Sequence, residues 1–112
     1  MKTIILRRFY ADWCGPCRLM DAPGGPLEQL ETYIAKKASE DQAIVEPVNV
    51  DKPPDPIKPL DVKERESIRH LPTIHILLAD GLDRELVQVM TGFQTFQKLK
   101  EAYEKVLSDP RR

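Results

Sequence analysis

Both cysteines of this 112-residue chain fall in one five-residue string, Trp13-Cys14-Gly15-Pro16-Cys17, where an apolar, β-favouring run gives way to a helical pattern. The run from Thr3 to Ala11 is rich in β-branched and aromatic residues, with Ile4, Leu6 and Tyr10 on one face and Ile5 and Phe9 on the other. It reads as a strand buried on both faces. Two thiols separated by two residues at the start of a helix close a small disulfide ring and reopen it without unfolding anything else. Redox chemistry is the first reading of such a string.

The remaining segments fit around that strand. Leu27, Leu30, Ile34 and Ala38 recur at helical spacing, and Pro23, Gly24, Gly25 and Pro26 kink or restart the chain before them. Ala43 to Asp51 is a second strand, in which Pro47 suggests a bulge or an irregular start. Pro53, Pro54, Pro56 and Pro59 make a stiff connector, with a contact surface as the lesser reading. Asp61 followed by Glu64 opens a short helix that ends near His70. Thr73 to Ala79 and Glu85 to Thr91 pair across an Asp80-Gly81 turn. Phe96, Leu99, Tyr103 and Val106 mark a terminal amphipathic helix. The order is βαβαββα, an α/β chain whose simplest form is a small mixed sheet flanked by helices, as one domain over residues 1–112.

A domain of this length buries roughly 65% of the surface its unfolded chain exposes, enough for one core. The 17 Lys and Arg nearly cancel the 18 Asp and Glu, so no electrostatic footprint points to nucleic acid or an anionic membrane. The apolar run near Met1 is too short for a signal-peptide core or a membrane span, which makes a cytoplasmic location the expectation. In a reducing compartment two lone cysteines point to catalysis or metal binding rather than a structural staple.

Thiol exchange needs a thiolate, and an ordinary cysteine with a pKa of about 8.5 supplies little at neutral pH. Cys14, at a helix N-terminus, gains from unpaired N–H groups and the helix dipole, and is read as the nucleophile. Cys17, one turn on, is expected to be more buried and to resolve the mixed disulfide. Pro16 costs no hydrogen bond in the first turn and restricts the ring. A zinc site would need a second pair of ligands, and His70 and His75 are not spaced as one. No bound cofactor or metal is expected. His75, inside an apolar strand, reads as a core residue, as do Tyr103 and Phe96.

The string Phe9-Tyr10-Ala11-Asp12-Trp13-Cys14-Gly15-Pro16-Cys17-Arg18 resembles thioredoxin. A second block, Ile68-Arg69-His70-Leu71-Pro72-Thr73, is similar to the loop before that family's fourth strand. Val48-Asn49-Val50-Asp51 resembles the end of its third strand, and Gly81 and Gly92 fall at its hairpin and surface glycines. The resemblance implies a thioredoxin-like fold with a four-stranded mixed sheet, a cis Pro72 facing the disulfide, and a substrate groove framed by Trp13, Gly15, Pro16, Leu71, Pro72 and Gly92. It implies a monomeric protein-disulfide reductase acting on disulfide-containing proteins. Electrons would come from NADPH through thioredoxin reductase, or from glutathione.

The departures are specific. The usual leading strand and helix are absent, one extra residue precedes Pro23, and the loop from Asp51 to Asp61 is longer and richer in proline. Six residues before Cys14, where thioredoxins carry a buried Asp, stands Arg8; the Lys that accompanies that Asp would fall at Pro47. A cation there favours thiolates, where a carboxylate disfavours them. Arg8 is therefore read as tuning thiol pKa or as pairing with an acid such as Glu46, with snorkelling to solvent as the plainer alternative. Two rival functions stay open: a thiol oxidase or isomerase, and a binding module in which the same surface docks a larger protein without redox turnover.

Overall fold

The computed structural model describes residues 1–51 and 70–112. Strand β1 (Thr3–Tyr10) buries Ile4, Ile5, Leu6 and Phe9, so both of its faces are covered and it sits in the interior of the sheet. Strand β2 (Ile44–Asn49) runs parallel to it on one side, and β3 (Thr73–Asp80) antiparallel on the other. Strand β4 (Asp83–Thr91) completes the order β2-β1-β3-β4. The parallel pair is joined through two helices, α1 (Gly15–Asp21) and α2 (Pro26–Ala35), as a parallel crossover requires. Helix α3 (Phe96–Leu107) closes the chain, its first turn capped by the Thr95 hydroxyl, which accepts from the Lys98 N–H at 3.3 Å. The helix expected to open at Asp61 and the loop from Pro53 to Pro59 lie outside the described residues.

The glycine directly before α2 has a steric reason. A Cβ on Gly25 would lie 2.8 Å from the carbonyl oxygen of Ala22 and 3.0 Å from that of Leu19, both backbone atoms that close α1. Only glycine lets α2 restart this close behind α1, with Pro26 in its first turn. Helix α2 stops at Ala35, so Ala38 falls beyond it, capping a single 3-10 turn at Ser39–Asp41. Helices α1, α2 and α3 bring Met20, Leu27, Leu30, Ile34, Leu99, Tyr103 and Val106 onto Ile4, Leu6, Ile74, Ile76 and Leu78 of the sheet.

Pro47 does not break β2. Its register with β1 is regular from Ile5↔Ile44 to Tyr10↔Asn49, because an edge strand needs hydrogen-bond donors on one side only. The irregularity lies instead between β3 and β4, where Ile76 pairs with Gln88 and Leu77 with Leu86, leaving Val87 as the extra residue of a bulge. The hairpin turns on Gly81 and Leu82, with Gly81 at φ +63°, the glycine-first pattern of a II′ turn.

The opposite face of the sheet is also buried but is not wholly apolar. Glu46, Arg7 and His75 lie side by side across β2, β1 and β3. Arg7 Nε donates to Glu46 Oε2 at 3.3 Å, and Arg84 Nη1 donates to the same oxygen at 3.3 Å. His75 has no exposed surface and meets the Phe9 ring edge-on at 4.8 Å.

Burial, and secondarily the Arg7 charge, hold the His75 pKa below its usual 6.5. The unfolded chain therefore takes up a proton as pH drops through that value, whereas the folded one does not until its own lower pKa is reached. Unfolding free energy is expected to fall below pH 6.5 with a slope from this group of up to about 1.4 kcal/mol per pH unit. Urea melts of wild type and His75→Phe across the range check it. Equal slopes would remove His75 as the cause.

Candidate active site

The site forms where β1 ends. After Tyr10 the chain turns, the Cys14 N–H donates to the Ala11 carbonyl at 3.1 Å, and α1 begins at Gly15. Cys14 is the N-cap residue, and its sulfur accepts the Cys17 N–H at 3.2 Å. A backbone N–H aimed at that sulfur favours negative charge on it once the disulfide is opened. Cys14 and Cys17 form a disulfide with Cα atoms 5.3 Å apart.

Burial separates the two cysteines less than expected, with Cys14 at 4% exposure and Cys17 at 3%. Ala11, Tyr10 and Leu71 pack around both, which levels them. What differs is their surroundings. Cys14 stands between exposed Trp13 and Gly15, where a Cβ on Gly15 would touch nothing within 4 Å. Cys17 lines an open cavity of about 330 Å³ together with Arg8, Tyr10, Ala11, Asp12, Arg18 and Asp21, whereas Cys14 does not.

The second sequence block arrives from β3. The Leu71–Pro72 peptide is cis, Leu71 packs against the cysteine cluster, and the Pro72 carbonyl accepts the Gly92 N–H at 2.7 Å. Gly92, at φ +84°, turns the chain out of β4 in a conformation other residues rarely adopt. Trp13, Gly15, Pro16, Leu71, Pro72 and Gly92 are thus all gathered around the disulfide or tied to the loop that touches it. Trp13 is 69% exposed, and its indole N–H donates to Asp51 Oδ2 at 2.8 Å, which fixes a large apolar plate beside Cys14. Sequence reading passed over Asp51 in this role. It also passed over Phe93, 47% exposed directly after Gly92.

Arg8 does not pair with Glu46. Side chains of a strand alternate faces, so Arg7 and not Arg8 projects with Glu46. The Arg8 side chain is 11% exposed rather than snorkelling into open water. Its guanidinium lies over the Tyr10 ring at 4.5 Å, with Asp21 Oδ1 at 3.7 Å. Asp21 itself is 58% exposed. Among the described residues no group of three His, Cys, Asp or Glu is placed to hold a metal ion, and no helix is long and apolar enough to cross a membrane.

The sequence model of the thioredoxin family matches residues 1–105. The chain belongs to the thioredoxin family. Solved thioredoxins superpose on it over nearly its whole length. The germline-specific thioredoxin Deadhead of Drosophila melanogaster is 25% identical, with 94% of this chain and 82% of that one covered at a TM-score of 0.67. Chloroplastic thioredoxin z is 25% identical, with 96% and 81% covered at a TM-score of 0.66. Fasciola hepatica thioredoxin, 24% identical over 93% and 81% with a TM-score of 0.63, shares the fold. The mixed sheet with its helices is a thioredoxin-like fold, and a thioredoxin domain with a Cys14–Cys17 disulfide is a thiol-disulfide oxidoreductase.

Proposed function

We propose that this thioredoxin-family protein is a protein-disulfide reductase, and the observation that carries the reading is the Cys14–Cys17 disulfide set at the start of α1, next in the chain to exposed Trp13 and packed against Leu71 of the cis Leu71–Pro72 peptide. In the reduced protein the Cys14 thiolate attacks one sulfur of a substrate disulfide. The other substrate sulfur leaves as a thiolate and takes a proton, and a Cys14–substrate mixed disulfide remains. Cys17, as a thiolate, then attacks the Cys14 sulfur, the second substrate sulfur leaves, and the Cys14–Cys17 bond closes. Two electrons have passed from the protein to the substrate. Trp13, Gly15, Pro16, Leu71, Pro72 and Gly92 frame the groove, with Leu71 offering backbone groups to an extended substrate segment. Thioredoxin reductase with NADPH, or glutathione, returns the pair to dithiols. The protein works as a monomer in a thiol-reducing compartment, the cytoplasm.

A thiol oxidase is the second reading, and Arg8 favours it, since a cation that stabilises a thiolate leaves the disulfide more oxidising. Reduction of insulin by dithiothreitol tests the first reading. The protein at micromolar concentration is expected to accelerate it about tenfold or more, a modest demand on a nucleophile activated as Cys14 is. Insulin reduced no faster than by dithiothreitol alone would overturn the reading. The reduction potential of the pair against glutathione separates reductase from oxidase.

A further inference from the structure

We infer that Arg8 is the tuning residue of Cys17: its fixed positive charge readies the resolving thiolate, and the cavity it shares with Cys17 is the path by which the thiol proton reaches water. This rests on the reading of Cys17 as the resolving thiol. The resolving step requires that Cys17 lose a proton before its sulfur bonds to that of Cys14 and the bond from Cys14 to the substrate breaks. The departing substrate thiolate later takes a proton from water. Burial to 3% exposure opposes the charged sulfur, so a neighbouring charge has to offset it.

Four charged side chains line the cavity beside Cys17, and they are not equivalent. Arg18 is exposed, and it donates to the Asp12 carbonyl through Nε at 2.9 Å and through a second nitrogen. The Asp12 carboxylate, also exposed, accepts from Asn49 Nδ2 at 3.3 Å. Asp21 is mostly in water, which screens it. Arg8 is the most buried of the four, and its nearest carboxylate oxygen among the described residues, that of Asp21 at 3.7 Å, lies beyond hydrogen-bonding distance. Its charge therefore acts on the cavity with the least screening. A guanidinium carries no lone pair for a proton and stays charged at any working pH, so Arg8 cannot itself be the base. The proton must leave through water, and about 330 Å³ of partly polar space gives room for several molecules.

The test uses the full chain in a Cys14→Ser background, where Cys17 is the only thiol, titrated by its ultraviolet thiolate absorbance. Arg8→Met is expected to raise the Cys17 midpoint by about one pH unit, a roughly tenfold loss of thiolate at fixed pH below it. Arg8→Lys should restore most of that shift. Asp21→Asn, a surface change that leaves packing alone, should lower the midpoint by roughly a few tenths of a unit. An unmoved midpoint in folded Arg8→Met would overturn the inference. If that variant does not fold, a midpoint unchanged or raised in Asp21→Asn overturns it instead. No turnover enters the titration, so a failure of insulin reduction would remove the reductase reading without moving this result, and the reverse holds as well.

Discussion

Cys14→Ser is expected to reduce insulin no faster than the reductant alone, a loss of about three orders of magnitude in the protein's own exchange rate. A serine hydroxyl stays protonated at neutral pH and forms no disulfide. Cys17 cannot take over, because it faces the Arg8 cavity while Cys14 stands beside exposed Trp13 and Gly15. Cys17→Ser should behave differently. Attack by Cys14 survives, one substrate thiolate is released, and the protein stalls as a mixed disulfide that intact-mass measurement reads as a stable adduct. Nearly equal burial of the two cysteines makes this a sharp test, since exposure alone would not assign their order. Adduct on Cys17 in the Cys14→Ser protein, with none on Cys14 in the Cys17→Ser protein, would reverse the assignment. Turnover retained by either variant would place the chemistry elsewhere.

The local features of this site were written in the sequence because short-range geometry carries them. A strand running into Cys-Gly-Pro-Cys dictates a helix N-terminus, and the Gly24-Gly25 pair marks the break before α2, where backbone crowding admits no Cβ at Gly25. Leu71-Pro72 and Gly92 were placed by family resemblance, and the hydrogen bond from the Gly92 N–H to the Pro72 carbonyl is the long-range contact that joins them. What the sequence hid was the second face. Arg7 and Arg8 are chemically identical and adjacent, and strand alternation sends them to opposite sides of the sheet. Which side meets Glu46 depends on the register of β2 against β1, a quantity local patterning does not carry when a proline sits in the strand. Pro47 misled for the same reason: edge position, which makes it harmless, is a property of the sheet order. Asp51 was missed because it gains its role only from Trp13, the neighbour the fold supplies.

The buried ionic row makes the other large prediction. Glu46→Ala removes the carboxylate that accepts from both Arg7 and Arg84, and Arg7 is 5% exposed, too deep to recover its hydration. Breaking one member of a buried pair costs about 3 kcal/mol, against a total stability of roughly 5–15 kcal/mol for a domain of this kind. The melting temperature should fall by about 10–20 °C. Arg84, at 31% exposure, remains near water, so Arg84→Ala should cost well under half as much. Replacing both inner partners, Arg7→Met with Glu46→Leu, should recover most of the loss, because the apolar pair has no desolvation to offset. A cycle of urea melts on wild type, Arg7→Met, Glu46→Leu and the double variant measures the coupling. Additive losses, or a Glu46→Ala protein within about 0.5 kcal/mol of wild type, would show that the row contributes little. The row projects from the opposite face of β1 to Arg8 and the Cys17 cavity, so each folded variant should keep the insulin-reduction rate of wild type at low temperature. Under the proposed assignment, stability rests on Arg7 and thiol tuning on Arg8, neighbours that one strand turns to opposite faces.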